Sequence, residues 1–365
     1  MKIAFLHFWT LRLPRGVETL ILSLANALAA QGEQVSILTA RRTRTPLVSP
    51  SPQVHLFEFP TFRYFEATTI VPFYVAALAR ERFDAVITFF ADFGEGPALA
   101  WADRVHKARH ILYLTFPPEA APHRYAAYKK YGWDRRADIL LADAEYTAAQ
   151  GKAFFERPVS LLPSGTNPQR FKPEPRTRAA MRAQLGYQEQ DVVLLNVAAL
   201  EKRKGAWRVV EALPALRMEC PNVRYLVLGE GPERQTLKER AAELGVLQAI
   251  VFAGTTNDLV PYYNAADIFV LLSDAEAGSI ALLEAMASGL PVVISDTPGM
   301  REIVNANCGI HVALDDRAAL LRTLQILIQD TEMRRQMGLQ ARIRIEQDYS
   351  WQSLAERLTL YLNEK

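Results

Sequence analysis

The sequence predicts an α/β protein with two doubly wound parallel sheets. Short apolar runs bounded by turn residues alternate with segments of helical periodicity along the whole chain, a pattern typical of parallel strands joined by helices. The chain has 365 residues, and single hydrophobic cores stop growing at roughly 250 to 300 residues. Two such domains are therefore expected.

Apolar runs in the first half of the chain predict one complete sheet, and runs in the second half predict another. The first set is Ile3–His7, Val35–Thr39, Val54–Phe57, Ala85–Thr88, Ile111–Leu114, Ile139–Ala142 and Val159–Leu162. The second set is Val192–Val197, Tyr225–Leu228, Ile250–Phe252, Ile268–Leu272, Val292–Ser295 and Gly309–Val312. The segment 163–178 between them carries four prolines and few apolar residues, so we expect a hinge there.

These elements place the domain boundaries. We expect a first domain over 1–167, a second over 168–347 and a terminal helix over 348–365. Ser350 can cap this helix. One of its faces is apolar and carries Trp351, Leu354, Leu358 and Tyr361. Because no strand follows, this stripe needs a groove elsewhere, and we expect the helix to pack back on the first domain.

Charge and cysteine content exclude several classes of protein. There are 42 Lys and Arg against 40 Asp and Glu, a net charge of +2, which gives no global field for wrapping nucleic acid. Cys220 and Cys308 lie far apart, without the spacing of a zinc site or a disulfide framework. The apolar run at the amino terminus is too short for a signal peptide, and nothing is long enough to span a membrane. A cytoplasmic protein is expected.

Parallel sheets bind ligands at the loops that leave the carboxyl ends of their strands. After the first strand, Gly16 stands before a predicted helix, where a glycine lets a phosphate approach backbone N–H groups; a plain turn is the alternative. After the first strand of the second domain, Lys202, Arg203 and Lys204 place three cations before a helix. This turn predicts a phosphate site or a solvated surface, and its position in the fold favours phosphate.

The strongest candidate site follows the fourth strand of the second domain. A short loop delivers Gly278, Ser279 and Ile280 to the amino end of a helix, where free N–H groups predict an anion site. Glu276 precedes this site, and Glu284 follows within the helix. Carboxylates beside an anion site repel phosphate unless they hold neutral hydroxyls, which sugars supply. Both acids could instead be solvated, but the apolar neighbours of Glu284 favour a partner.

With these residues the chain resembles glycosyltransferase family 4 of the GT-B superfamily, including its RfaB-like group 1 members. The match in order and spacing covers YLVLGEGPERQTLKERAAELGV, IVFAG and YYNAADIFVLLSDAEAGSIALLEAMASGLPVVISDTPGMREIV, and it includes the E-x7-E pair. LLPSGTNPQRFKP is similar to the interdomain segment of the family. The resemblance implies two Rossmann-like domains facing each other across a cleft. It also implies retaining transfer of a hexose-type sugar from a nucleotide diphosphate sugar to an acceptor hydroxyl.

The resemblance assigns the main roles to side chains. Lys204 matches the lysine that neutralises the donor diphosphate, with Arg203 in the same loop, and Gly16 matches the glycine loop that faces it. Glu276 matches the acid that holds the hydroxyls of the transferred sugar, so Lys204 and Glu276 are the implied catalytic residues. Glu284 matches the acid that holds the ribose of the nucleotide.

The resemblance also implies backbone contacts to the donor. They fall at Gly278, Ser279 and Ile280 for the phosphates, and near Phe252 and Gly254 for the base. No metal and no cofactor is implied, because the nucleotide diphosphate sugar is a co-substrate and cations with a helix dipole can stabilise the leaving group.

Two positions depart from the family pattern. Ala199 stands where an arginine is usual, so one diphosphate cation is missing, and Lys202 or Arg203 are the nearest substitutes. Thr115 or Phe116 occupies the place of a histidine close to the reacting centre, and His7 is the nearest replacement on the acceptor side. These losses leave a second hypothesis, a catalytically weakened homologue that acts as a nucleotide-sugar-binding protein or as a partner protein.

A different class of enzyme, a nicotinamide-dependent oxidoreductase, is disfavoured because the loop after the first strand lacks G-x-G-x-x-G.

The acceptor is expected to be a glycan, a lipid-linked sugar or a small molecule. The segment 123–138 interleaves aromatic and basic residues, which predicts either a solvated helix, the favoured reading, or a peripheral contact with the inner face of a membrane.

Overall fold

The computed structural model describes residues 1–11, 16–41, 48–60, 70–89, 96–98, 108–276 and 278–364. The chain divides into two compact units, one formed by Met1–Ser164 together with Trp351–Lys365 and the other by Gly165–Ser350. Every predicted strand is present, with its ends displaced by two residues at most. The strands were predictable because parallel strands are buried on both faces and therefore form continuous apolar runs.

The first unit is a seven-stranded parallel sheet with the order β3-β2-β1-β4-β5-β6-β7. Elements are numbered here in chain order. Its strands are β1 (Lys2–Leu6), β2 (Gln34–Ala40), β3 (His55–Phe59), β4 (Ala85–Thr88), β5 (Arg109–Leu114), β6 (Ile139–Ala142) and β7 (Ser160–Leu161). Its helices are α1 (Gly16–Ala30), α2 (Val71–Arg80), α3 (Pro122–Tyr131), α4 (Glu145–Phe155) and the terminal α13 (Trp351–Asn363).

The second unit is a six-stranded parallel sheet with the order β10-β9-β8-β11-β12-β13. Its strands are β8 (Val192–Val197), β9 (Val223–Leu228), β10 (Ile250–Gly254), β11 (Ile268–Leu271), β12 (Val292–Ser295) and β13 (Gly309–Val312). Its helices are α5 (Pro175–Leu185), α6 (Ala206–Glu219), α7 (Arg234–Glu243), α8 (Val260–Ala265), α9 (Ile280–Ala287), α10 (Pro298–Ile303), α11 (Arg317–Gln329) and α12 (Thr331–Asp348).

Both sheets are covered by helices on their two faces. Successive residues of β8 show this, because Leu194 packs in one hydrophobic cluster with α6 and α11, while Val193 and Leu195 pack in another with α9 and α12. This alternation follows from the two-residue period of a strand. Each unit is therefore an α/β, Rossmann-like layer structure, as the sequence predicts.

The terminal helix α13 packs within the first unit. Leu354, Leu358 and Leu362 are buried in a cluster that includes the apolar face of α1. Two polar contacts fix its position: the Arg109 guanidinium donates to the carbonyl of Leu362 at 2.8 Å, and the Tyr361 hydroxyl donates to the carbonyl of Leu161 at 3.1 Å. The stripe of apolar residues is thus buried by helix and sheet together.

The unit boundaries differ from the expected ones by three residues at each crossing, at 164/165 and 350/351 rather than 167/168 and 347/348. The backbone N–H of Thr166 donates to the carbonyl of Tyr349 at 2.8 Å, and Thr166 forms a parallel bridge with Ser350. This pairing draws both stretches into the second unit. No helix in the described part of the chain is long and apolar enough to cross a bilayer.

Candidate active site

The strand order of the second unit creates one switch point, between β8 and β11. The chain leaves β8 towards one side of the sheet and β11 towards the other, so the loops after these neighbouring strands open a crevice at the carboxyl edge. Lys204 lies in the loop after β8, and Glu276 lies in the loop after β11. Topology alone therefore brings the two predicted catalytic residues together.

Backbone contacts tie these two loops to each other. Gly205 has a φ of +73°, and a Cβ there would lie 2.0 Å from the carbonyl oxygen of Leu272, so only glycine allows this approach. The N–H of Asp274 donates to the carbonyl of Arg203 at 2.8 Å, and the Arg208 guanidinium donates to the carbonyl of Leu272 at 3.0 Å. These backbone contacts between the two loops fix the positions of Lys204 and Glu276 relative to each other.

Lys204 and Glu276 form an ion pair at the centre of this crevice. The Lys204 ammonium donates to Oε1 of Glu276, and their side chains are only 18% and 10% exposed. The hydroxyl of Ser273 donates to the same carboxylate oxygen at 2.9 Å. Ser273 is completely buried and is held in turn by Ser295, whose hydroxyl donates to the Ser273 carbonyl at 2.7 Å.

The helix α9 begins beside this pair. Ser279 is its N-cap, with extended φ and ψ of −122° and 112°, and its Oγ accepts from the N–H of Leu282 at 3.3 Å. The side chain of Ser279 therefore serves the helix, and the first N–H groups of α9 remain the anion donors by helix geometry. A Cβ on Gly278 would meet no heavy atom within 4 Å, so this approach to the helix end is open.

Glu284 lies within α9 and is 9% exposed. The hydroxyl of Tyr263 donates to its Oε2 at 2.8 Å. Burial raises the pKa of Glu284 to about 7, against the opposing effects of the Tyr263 hydrogen bond and the nearby Arg170. The expected partner is therefore present, and the carboxyl titrates near neutral pH.

Other residues predicted to bind the nucleotide sugar lie at the same edge of the sheet. Phe252 and Gly254 are on β10, two strands from β8, and Gly254 has a φ of +73°. The carbonyl of Phe252 accepts from Arg234 at 3.4 Å. Arg203 forms an exposed bridge with Glu201 at 2.7 Å, so its guanidinium is engaged outside the Lys204–Glu276 pair.

Three predicted residues belong to the first unit. Gly16 begins α1 and is exposed, and residues 12–15 before it lie outside the described residues. His7 directly follows β1 rather than ending it, and Thr115 directly follows β5. His7 is 2% exposed, with Nδ1 3.0 Å from Oγ1 of Thr10, and burial lowers its pKa to about 3. Thr115 is 4% exposed.

The sequence did not reveal Ser273, Ser295 or Tyr263. Serines at strand ends are common turn residues, and Tyr263 reads as one more core aromatic in α8. Only the register of β11 beside β12, with Leu271 opposite Ile294, puts the two serines next to each other. No short-range pattern encodes that contact.

Comparisons with known proteins match both units to family models. The model described as Glycosyl transferases group 1 matches residues 177–344, and the model described as Glycosyltransferase Family 4 matches residues 14–170. The resemblance to family 4 is thereby confirmed.

Named relatives agree. A GDP-mannose-dependent monoacylated alpha-(1-6)-phosphatidylinositol monomannoside mannosyltransferase of Corynebacterium glutamicum is 32% identical over 234 residues, which span 61% of this chain and 61% of that protein. A GDP-mannose-dependent alpha-(1-6)-phosphatidylinositol monomannoside mannosyltransferase of Mycolicibacterium smegmatis is 30% identical over 272 residues, 70% of each chain.

Solved structures share the fold. Sucrose-phosphate synthase of Thermosynechococcus elongatus has a TM-score of 0.79 at 22% identity, covering 99% of this chain and 98% of that one. HepE of Anabaena, solved in complex with UDP and glucose, has a TM-score of 0.80 at 18% identity and covers all of both chains. With the two parallel sheets, these likenesses show the GT-B class of fold. The chain belongs to the group 1 glycosyltransferases, with a family 4 region in its first unit.

Proposed function

We propose that this protein is a retaining glycosyltransferase that moves a hexose-type sugar from a nucleoside diphosphate sugar to an acceptor hydroxyl. The observation that carries the proposal is the Lys204–Glu276 pair at the switch point of the second sheet, beside the amino end of α9. A cation and a helix dipole suit the diphosphate, and a carboxylate suits the sugar hydroxyls.

In the proposed reaction the acceptor attacks on the face that the diphosphate leaves. The bond from the anomeric carbon to the diphosphate oxygen breaks with its electron pair staying on that oxygen, and a bond to the acceptor oxygen forms on the same face. The proton of the acceptor hydroxyl passes to the departing diphosphate oxygen. Lys204 and the first N–H groups of α9 stabilise the charge on the departing diphosphate. Glu276 accepts from hydroxyls of the transferred sugar, and ionised Glu284 accepts from the ribose. No metal takes part in this scheme.

The names of the relatives suggest the substrates to test. Two of them are described as GDP-mannose-dependent, with phosphatidylinositol monomannosides as acceptors, and HepE was solved with UDP and glucose. We propose a nucleoside diphosphate hexose as donor and a carbohydrate or lipid-linked sugar as acceptor. GDP-mannose and UDP-glucose, with GDP and UDP as product controls, form the first panel.

The deciding experiment measures release of nucleoside diphosphate when this panel is combined with glycolipid, oligosaccharide and small-molecule acceptors, with and without EDTA. Product with retained anomeric configuration and no EDTA effect supports the proposal. Inversion contradicts the retaining mechanism, and loss of turnover in EDTA contradicts metal independence.

Binding without turnover on every acceptor would favour the alternative, a weakened homologue that only binds nucleotide sugars. The Lys204–Glu276 pair would serve binding of a nucleotide sugar as well as transfer, but the names of the relatives as mannosyltransferases disfavour that alternative. The missing cation at Ala199 lowers the positive charge around the diphosphate but leaves this pair in place.

Peripheral membrane contact is a further part of the proposal, with α3 as its candidate surface. Tyr131 is 57% exposed at the end of α3, with the Lys130 ammonium 5.4 Å from its ring centre. Tyr125 and Tyr128 are buried, and Lys129 is bonded to Glu156 and to the carbonyl of Phe154. The surface available to a bilayer is therefore smaller than the sequence suggests. Co-sedimentation with anionic vesicles that a K130E/Y131S variant does not weaken would contradict this contact.

A further inference from the structure

The Glu276 carboxylate has unequal oxygens. Oε1 accepts from the Lys204 ammonium and from the Ser273 hydroxyl, while the side chain as a whole is 10% exposed. With two donors at Oε1, the oxygen that can take further hydrogen bonds from a ligand is Oε2. The carboxylate is thus oriented before any ligand arrives.

A second hydrogen bond, from the neighbouring strand, holds Ser273 in place. Ser295 ends β12, and its hydroxyl donates to the carbonyl of Ser273 at 2.7 Å. Both serines are completely buried, so neither hydroxyl is in contact with bulk water. The chain of contacts runs from β12 through Ser295 and Ser273 to Glu276.

We propose that Ser273, held by Ser295, is a positioning residue that fixes Glu276 so that Oε2 faces the hydroxyls of the transferred sugar. This inference rests on the proposed function and adds a role for two residues that the sequence did not single out. Neither serine touches the substrate.

Ser273 is needed because Lys204 has two proposed partners, the Glu276 carboxylate and the diphosphate. The ammonium donates to Oε1 of Glu276, but a bound diphosphate attracts the same ammonium with more than one negative charge. A lysine is a flexible point charge and fixes no direction by itself. The Ser273 hydroxyl remains at Oε1 when the ammonium shifts, so it keeps the carboxylate oriented during turnover.

The test compares affinities for a nucleotide with and without its sugar. The probes are UDP-glucose against UDP and GDP-mannose against GDP, measured by calorimetry on the full chain. In Ser273→Ala, loss of a hydrogen bond to a charged group is expected to weaken binding of the nucleotide sugar about tenfold. Binding of the nucleoside diphosphate alone should change less than about twofold, because Glu276 contacts only the sugar. A smaller change of the same pattern is expected for Ser295→Ala.

Ser288→Ala is the matched control, since its buried hydroxyl donates to the carbonyl of Glu284 at 2.9 Å and does not contact Glu276. Ser288→Ala should leave the ratio of the two affinities unchanged. In a protein that already carries Glu276→Ala, adding Ser273→Ala should not change that ratio further. A serine that only stabilised the fold would still change binding in the absence of the Glu276 carboxylate.

Two results would overturn the inference. In the first, Ser273→Ala and Ser295→Ala weaken the binding of nucleotide sugar and of nucleoside diphosphate by the same factor, or weaken neither. If the Ser273→Ala protein does not fold, the Ser295→Ala protein alone decides this point. In the second, the wild-type protein binds none of the probes, which overturns the proposed function as well. The wild-type titration therefore distinguishes the two failures.

Discussion

The Lys204 ammonium and the Glu276 carboxylate neutralise each other in a crevice where both side chains are largely buried. Each is a ready-made partner for a different part of a nucleotide sugar, the lysine for phosphate and the acid for hydroxyls. Buried charges need partners, so each member of the pair also stabilises the other. Removing either member therefore affects both binding and the fold of the loops around it.

Replacing Lys204 tests the charge stabilisation directly. Lys204→Ala should lower kcat by two orders of magnitude or more, because one preorganised donor to a developing charge is worth about 2.7 to 4 kcal/mol of barrier. The rate of nucleoside diphosphate release measures it.

Lys152→Ala is the control for that variant. Lys152 is an exposed lysine on α4 to which no role in donor binding is assigned, so its loss should change kcat by less than about threefold. Equal turnover in Lys204→Ala and the wild type would contradict the assignment of Lys204.

Glu284 predicts a pH dependence of stability. Its carboxyl has a pKa of about 7 in the folded protein against an ordinary 4.5, so the folded state holds a proton that the unfolded chain has released. This contribution is complete below about pH 4.5 and is lost as the pH rises through 7. At about 1.4 kcal/mol per pKa unit, the free energy of unfolding should fall by roughly 2 to 3 kcal/mol over that range. Denaturant unfolding between about pH 4.5 and 8 measures this change.

The buried histidines act in the opposite direction. The pKa values of His7 and His110 are lowered by burial to about 3 and about 4, so their contribution is present above 6.5 and is lost as the pH falls. The Glu284 effect is therefore read as the difference between the wild type and Glu284→Gln. The variant should lack the decrease between about pH 4.5 and 7, and identical profiles for the two proteins would rule out the raised pKa.

Ser279 separates helix capping from anion binding. Ser279→Ala removes the acceptor for the Leu282 N–H and should lower the free energy of unfolding by about 1 kcal/mol. Ser279→Asp keeps a cap but places a negative charge where the phosphates are expected, so it should retain stability and weaken UDP or GDP binding about tenfold. Chemical unfolding and calorimetry measure the two effects. Tight nucleotide binding by the Asp variant would argue against an anion site at α9.

The strands were predictable for a physical reason. Buried parallel strands cannot alternate apolar and polar residues, so runs such as Val292–Ser295 stand out in the sequence. Because ligand-binding loops lie at strand ends in such a fold, the sequence also predicts that Lys204 and Glu276 lie in neighbouring loops, and the strand order has them there. The close approach of Gly205 to the carbonyl of Leu272 depends on the folded loops and has no signal in the sequence.

Contacts between distant segments could not be predicted. The bridge from Thr166 to Ser350 moves both unit boundaries, and no local pattern marks this pairing. The Ser295–Ser273 hydrogen bond depends on the register of β11 and β12. The raised pKa of Glu284 depends on how fully this carboxyl is buried. Its apolar neighbours in the sequence indicated that the acid has a partner but did not indicate its pKa.

The terminal helix offers a test of the first unit that needs no substrate. Leu358 is completely buried against the cluster that includes α1, whereas Leu360, two residues later, is 66% exposed. Leu358→Ala should cost about 2 to 5 kcal/mol, since it removes buried methyl groups and leaves a cavity. Leu360→Ala should cost less than about 0.5 kcal/mol. Hydrogen exchange of the α1 amides measures both, because α13 shares a buried cluster with the apolar face of α1. If α1 exchanges at the wild-type rate in Leu358→Ala, helix α13 does not stabilise the first unit.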